Sequence, residues 1–193
     1  MVMFAITKYM NNMGIRRILC LLPLAVCCVF ALQSCIKDDD EKAVEYVKVG
    51  DTVPSFSVKL GDGSTIEFTQ DDFVGKRSII VLFTTGCPHC KTLLPVVDAA
   101  WREMDGNDGY AIIPVAREGS KASVEGFWSS TDPAMTMPYY LDPDKSAYNK
   151  FANLYVPRLY SVNEQGIIDW MRVGEEGVTK EFLLEEILGY SLH

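Results

Sequence analysis

A five-residue apolar run, Ile79-Ile80-Val81-Leu82-Phe83, leads into Thr84-Thr85-Gly86-Cys87-Pro88-His89-Cys90-Lys91, and this stretch constrains the chain more than any other. The run has the length and composition of a buried strand. Beyond it, Leu93, Leu94, Val97, Ala100, Trp101 and Met104 recur at three- and four-residue spacing, which predicts a helix. The two cysteines therefore fall where a strand hands over to a helix, with Cys87 at the helix N-terminus. Unpaired N–H groups and the helix dipole stabilise an anion there, so Cys87 is expected to ionise more readily than a free thiol. Cys90 follows about one turn later on the same face, within reach of a disulfide to Cys87. Pro88 suits the first turn, where its missing N–H costs nothing. A protonated His89 adds positive charge near the thiolate and favours it further.

Three other uses of a C-x-x-C stand beside redox exchange: a zinc half-site, a haem attachment and a structural disulfide. Zinc takes about four ligands, and besides His89 the chain offers only His193 and no second C-x-x-C pair. Haem attachment needs a histidine directly after the second cysteine, where Lys91 stands. A disulfide closing so short a loop constrains the unfolded chain little. Redox activity is the expectation, with no metal site.

The N-terminal segment reads as a targeting signal covering residues 1–34. Arg16-Arg17 precede an apolar run from Ile18 to Leu32, which is short for a membrane span. The run ends in Leu32-Gln33-Ser34-Cys35, which resembles a bacterial lipobox and marks Cys35 as the expected lipidation site. Residues 35–47 then form a lipidated cysteine and a tether carrying Lys37-Asp38-Asp39-Asp40-Glu41, a charge run of the solvated kind. Its placement also resembles an acidic surface-export signal. The expected location is extracytoplasmic, anchored to the bacterial envelope at the outer membrane, either on the periplasmic face or at the cell surface.

Removing the signal leaves 15 basic against 26 acidic residues, a net charge of -11. That excludes a nucleic-acid partner, since phosphate binding needs a basic footprint. It also sharpens the cysteine count. Cys20, Cys27 and Cys28 leave with the signal and Cys35 carries lipid, so Cys87 and Cys90 alone remain. A secreted protein with one C-x-x-C and no other thiol has no structural disulfides to maintain.

The rest of the chain, 48–193, reads as one domain. Residues 55–60 and 65–69 alternate around Gly61-Asp62-Gly63 as a β-hairpin, and 70–75 form a short helical turn. After the cysteines, Pro95 is expected to kink the long helix. Further elements are a strand at 110–116, a helix at 121–129, a short strand at 139–141 and a helix at 146–154. A second hairpin spans 158–163 and 167–173, and a last helix is N-capped by Thr179 and ends near Gly189. Alternating strands and helices imply an α/β sandwich with a mixed sheet. Trp101, Trp128 and Trp170 are assigned to the core. The Val156-Pro157 pair opens a strand and is a candidate cis X-Pro bond.

Across residues 48–190 the chain resembles the TlpA-like membrane-tethered thiol–disulfide oxidoreductases of the AhpC/TSA type, which have a thioredoxin-like fold. The marks are Val49-Gly50-Asp51 with Pro54 and Phe56, Gly75-Lys76, Cys87-Pro88-His89-Cys90, Pro95, Pro157 and the turn from Asn163 to Gly166. The resemblance implies a central mixed sheet flanked by helices, an N-terminal hairpin and an inserted helix–strand unit between Ala116 and Asp142. It also implies that Cys87 and Cys90 are catalytic, that Pro88, His89 and the cis-proline Pro157 modulate them, and that Val156 pairs with a substrate backbone. Gly86 stands where a tryptophan is usual and Arg158 where a threonine is usual. Val81 and Leu93 occupy positions where such proteins keep a buried acid.

The activity implied is protein-disulfide reduction with no cofactor beyond the dithiol. The partners would be disulfide-containing extracytoplasmic proteins, a membrane or periplasmic electron donor, and the membrane through the lipid. The Pro88-His89 dipeptide is also that of DsbA-like oxidases, which makes a disulfide oxidase or isomerase one alternative. A peroxiredoxin-like peroxidase is another: Thr84 fits part of that signature, but Ile80 replaces its proline. The third is a non-catalytic surface binding module.

Overall fold

A computed structural model describes residues 42–104 and 106–191, and the chain divides into Met1–Glu41 and Lys42–His193. The signal segment, Cys35 and the acidic run lie outside the described residues, as does His193. No helix among the described residues is long and apolar enough to cross a membrane.

Seven strands form one mixed sheet: β1 (Phe56–Lys59), β2 (Thr65–Phe68), β3 (Arg77–Phe83), β4 (Tyr110–Arg117), β5 (Tyr140–Asp142), β6 (Arg158–Val162) and β7 (Ile168–Val173). Their spatial order is β2-β1-β5-β4-β3-β6-β7. The central strands β3, β4 and β5 run parallel, while β6 and β7 on one side and β1 and β2 on the other are antiparallel. Two helices connect the parallel strands: α1 (Pro88–Met104) and α2 (Lys121–Ser129). This is the α/β thioredoxin-like architecture that the sequence implies, with the N-terminal hairpin and the inserted helix and strand in place.

The apolar run in β3 is continuous because both faces of the strand are covered. Ile79, Val81 and Phe83 point into a core shared with Leu93, Leu94 and Val97 of α1 and with Leu183 and Leu184 near the C-terminus. Ile80 and Leu82 point the other way, onto Phe73, Tyr148, Phe151 and Tyr160. Burying each such side chain contributes roughly 1.5–3 kcal/mol, so β3 is anchored from both layers. Trp128 lies in the first core, and Trp101 and Trp170 pack against it half-buried.

Two expected helices take other forms. Over residues 146–154 only the 3-10 turn Tyr148–Lys150 forms. The Asp142 carboxylate captures the N–H groups of Ala147 and Tyr148, the N–H groups of residues 149–152 close local turns, and Tyr46 donates its N–H to Phe151 O at 2.8 Å. The last helix is a π-helix, Phe182–Ile187. Its Leu188 N–H reaches Leu183 O, five residues back. Its start is as read: Thr179 Oγ1 accepts the Phe182 N–H at 3.1 Å. Gly189 ends it at φ +64, the left-handed conformation that a helix C-terminus favours.

Candidate active site

Cys87 follows the C-terminal end of β3 by four residues, and α1 begins at the next residue, Pro88. Both thiols are free here, Cys87 partly exposed and Cys90 fully buried at 0 % exposure. The Cys90 N–H points at Cys87 Sγ, 3.4 Å away. This is one of the first-turn amides that have no partner within the helix. Burial pushes the Cys90 thiol far above its ordinary range, and Thr84 only partly opposes this through backbone hydrogen bonding. The two cysteines are thus unequal: Cys87 meets solvent and Cys90 does not.

Opposite Cys87 lies the Val156-Pro157 peptide, which is cis. The Cys87 thiol donates to Val156 O at 3.5 Å, which places the segment preceding β6 against that sulfur. Residues 69 apart in sequence thereby meet. A second cis bond, Asp132-Pro133, carried no sequence signal and belongs to the loop after α2.

His89 turns outward, with its side chain 66 % exposed, and its Nδ1 lies 2.7 Å from Glu175 Oε1. Glu175 sits in the loop after β7, and the bond to His89 holds its carboxyl below the usual range. Sequence reading missed Glu175 because its role depends on a contact 86 residues away. It also missed Asp98, whose side chain is 4 % exposed in the middle of α1. Asp98 pairs with Arg102 at 2.7 Å and accepts N–H groups from Thr136 and Met137 at 2.7 and 2.8 Å. At the two positions read as lacking an acid, Val81 and Leu93 are buried core residues. Arg158, read only as a departure, is buried and paired with Glu45. Among the described residues, no group of three or more His, Cys, Asp and Glu side chains could hold a metal ion.

The fold and the strand–dithiol–helix site define a thioredoxin-fold protein with a C-x-x-C centre facing a cis-proline. Residues 49–171 match the AhpC/TSA family, and the chain belongs to it. The TlpA-like resemblance read from the sequence agrees with this. No curated protein sequence matches significantly. Among solved structures, one similar to it is described as a candidate protein disulfide isomerase from Bacteroides thetaiotaomicron: 23 % identity over 74 % of this chain and 91 % of that one, TM-score 0.63. StoA from Bacillus subtilis is 24 % identical over 69 % of this chain and 96 % of its own, TM-score 0.52. The pneumococcal exposed lipoprotein thioredoxin Etrx1 from Streptococcus pneumoniae is 20 % identical over 69 % and 98 %, TM-score 0.55. At these identities the likeness establishes the fold.

Proposed function

We propose that this protein is an extracytoplasmic thiol–disulfide oxidoreductase, lipid-anchored through Cys35, that reduces disulfides in partner proteins with the Cys87/Cys90 dithiol. The observation that carries this is the inequality of the two thiols: an accessible Cys87 beside Val156 and a sealed Cys90 one turn away. Family membership supports it. So does the description of a similar structure as a candidate disulfide isomerase.

The Cys87 thiolate attacks one sulfur of the partner disulfide. A Cys87–partner disulfide forms, and the other partner sulfur leaves as a thiolate and takes up a proton. Cys90 then gives up its proton and attacks Cys87 Sγ. The Cys87–Cys90 disulfide forms, and the partner leaves fully reduced, two electrons richer. Those electrons return from an external dithiol donor, for which a membrane or periplasmic electron carrier is the natural class. Pro88 and His89 set the electrostatics of the first step. Pro157 faces the dithiol, and Val156 offers backbone to the partner chain as an added strand.

The test is trapping. A Cys90→Ser variant stalls at the first step and accumulates mixed disulfides with oxidised protein substrates, resolved by non-reducing electrophoresis and lost in Cys87→Ser. If Cys90→Ser traps nothing, the exchange mechanism is wrong. Anchoring is tested separately: Cys35→Ala releases the protein from the membrane fraction.

A further inference from the structure

The residues that lead into the domain reach the active site through one buried cation. Glu45 and Ala152 form a β-bridge, Tyr46 N–H bonds Phe151 O, and Val44 exchanges bonds with Asn153. From this strap the Glu45 carboxylate grips Arg158 Nη1 with both oxygens, at 2.5 and 2.6 Å. Arg158 is 1 % exposed, and it spends its remaining donors on main-chain oxygens. Its Nε donates to Leu154 O at 2.9 Å and Tyr155 O at 3.0 Å, and its Nη2 also donates to Leu154 O. Tyr148 Oη adds a second donor to Tyr155 O at 2.8 Å.

These bonds converge on the two residues before Val156, whose carbonyl touches the Cys87 thiol. Tyr155 is held at φ +67, a left-handed conformation that an ordinary residue disfavours, and the residue is 62 % exposed. A buried guanidinium with a two-oxygen carboxylate grip is expensive to desolvate and geometrically specific. Here that specificity fixes one loop, at the place where a partner chain would meet the enzyme.

We propose that Glu45 and Arg158 are positioning residues for the partner-binding loop, and that they present Tyr155 as a specificity-determining contact for an extended partner polypeptide. The inference rests on the exchange reading above, since it assigns a partner to the Cys87 site. Burial works against the Arg158 charge, but the Glu45 carboxylate bonded to it raises its basicity overall.

The experiment measures reduction of insulin, a polypeptide disulfide, and of glutathione disulfide, a small one, with dithiothreitol as electron source. The variants are Glu45→Gln, the double variant Glu45→Ala with Arg158→Met, and Tyr155→Ala. Met replaces the buried cation with apolar volume, so a purely structural role is rescued in the double variant while the grip on the two carbonyls is lost. The expected result is a rise of about tenfold in KM for insulin in the double variant and in Tyr155→Ala, with kcat within twofold. The KM for glutathione disulfide and the dithiol's equilibrium with glutathione stay within twofold. An insulin KM within twofold of the parent in a folded double variant overturns the positioning role. If the double variant fails to fold, an unchanged insulin KM in Glu45→Gln and Tyr155→Ala overturns it instead. A parent protein that reduces neither disulfide overturns the exchange reading itself, and the inference with it.

Discussion

Nδ1 of His89 and Oε1 of Glu175 lie 2.7 Å apart, joining the dithiol turn to the loop after β7. In the sequence the Pro88-His89 dipeptide reads as a device for stabilising thiolate and so for making a strong oxidant. The partner carboxylate would offset the charge of a protonated imidazole. Glu175 also acts electrostatically on Cys90, against its thiolate.

His89→Leu leaves Glu175 facing the dithiol without its partner. The Cys87–Cys90 disulfide then becomes harder to reduce, with a potential more negative by about 30–60 mV, equivalent to about 1.4–2.8 kcal/mol. Glu175→Gln shifts it the other way. Equilibration in glutathione buffers followed by alkylation and mass spectrometry reads both. A shift of the same sign in both variants would sink the paired-charge account.

Alkylation at neutral pH should discriminate between the two thiols. Iodoacetamide modifies Cys87 in the native reduced protein at least about 100-fold faster than Cys90, because reactivity follows thiolate character and exposure and Cys90 is fully buried. Peptide mapping after timed quenching gives the ratio, and denaturation should abolish it.

The same burial makes reduced protein sensitive to alkali. The folded-state value for Cys90 is raised, so the stability it contributes is complete below the ordinary thiol range and is lost as pH rises beyond it. Between pH 7 and 10 the reduced parent should lose stability relative to Cys90→Ala, at up to about 1.4 kcal/mol per pH unit above the free-thiol value. Urea midpoints in the presence of reductant measure the difference. Parallel curves for the two proteins would contradict the burial argument.

Asp98 is a structural carboxylate in the same helix. Removing it leaves the Thr136 and Met137 amides unsatisfied and Arg102 without its carboxylate, with only Ala134 O left to it. Asp98→Ala is expected to cost about 3 kcal/mol, read as a lower urea midpoint at constant slope. The dithiol's reduction potential should not move.

What the sequence reveals here is what depends on neighbours along the chain. The helix at residues 121–129 and the hairpin joining β1 to β2 are both where the sequence reading places them, the hairpin by its alternation and turn residues. The dithiol is legible for the same reason, since strand, turn and helix are contiguous. The segment 146–154 stops at local turns, with the buried Asp142 carboxylate taking two of its N–H groups and the distant Tyr46 taking the Phe151 carbonyl, neither of which its own periodicity reveals. Glu45, Asp98 and Glu175 look like ordinary surface acids, and only the fold shows that each has a partner. Arg158 is visible as an unusual residue after the proline, but the reason for it lies 113 positions away in Glu45.

The sealed position of Cys90 also dictates the order of events. In the exchange mechanism proposed above, a partner disulfide would be opened from the solvent side, by Cys87, and every covalent intermediate would hang from the same sulfur. In that mechanism Cys90 would act second, as a clock: the time it needs to lose its proton while buried would set how long a captured protein stays attached. Lengthening or shortening that interval by changing the packing over Cys90 would alter which partners are released reduced and which escape by reversal.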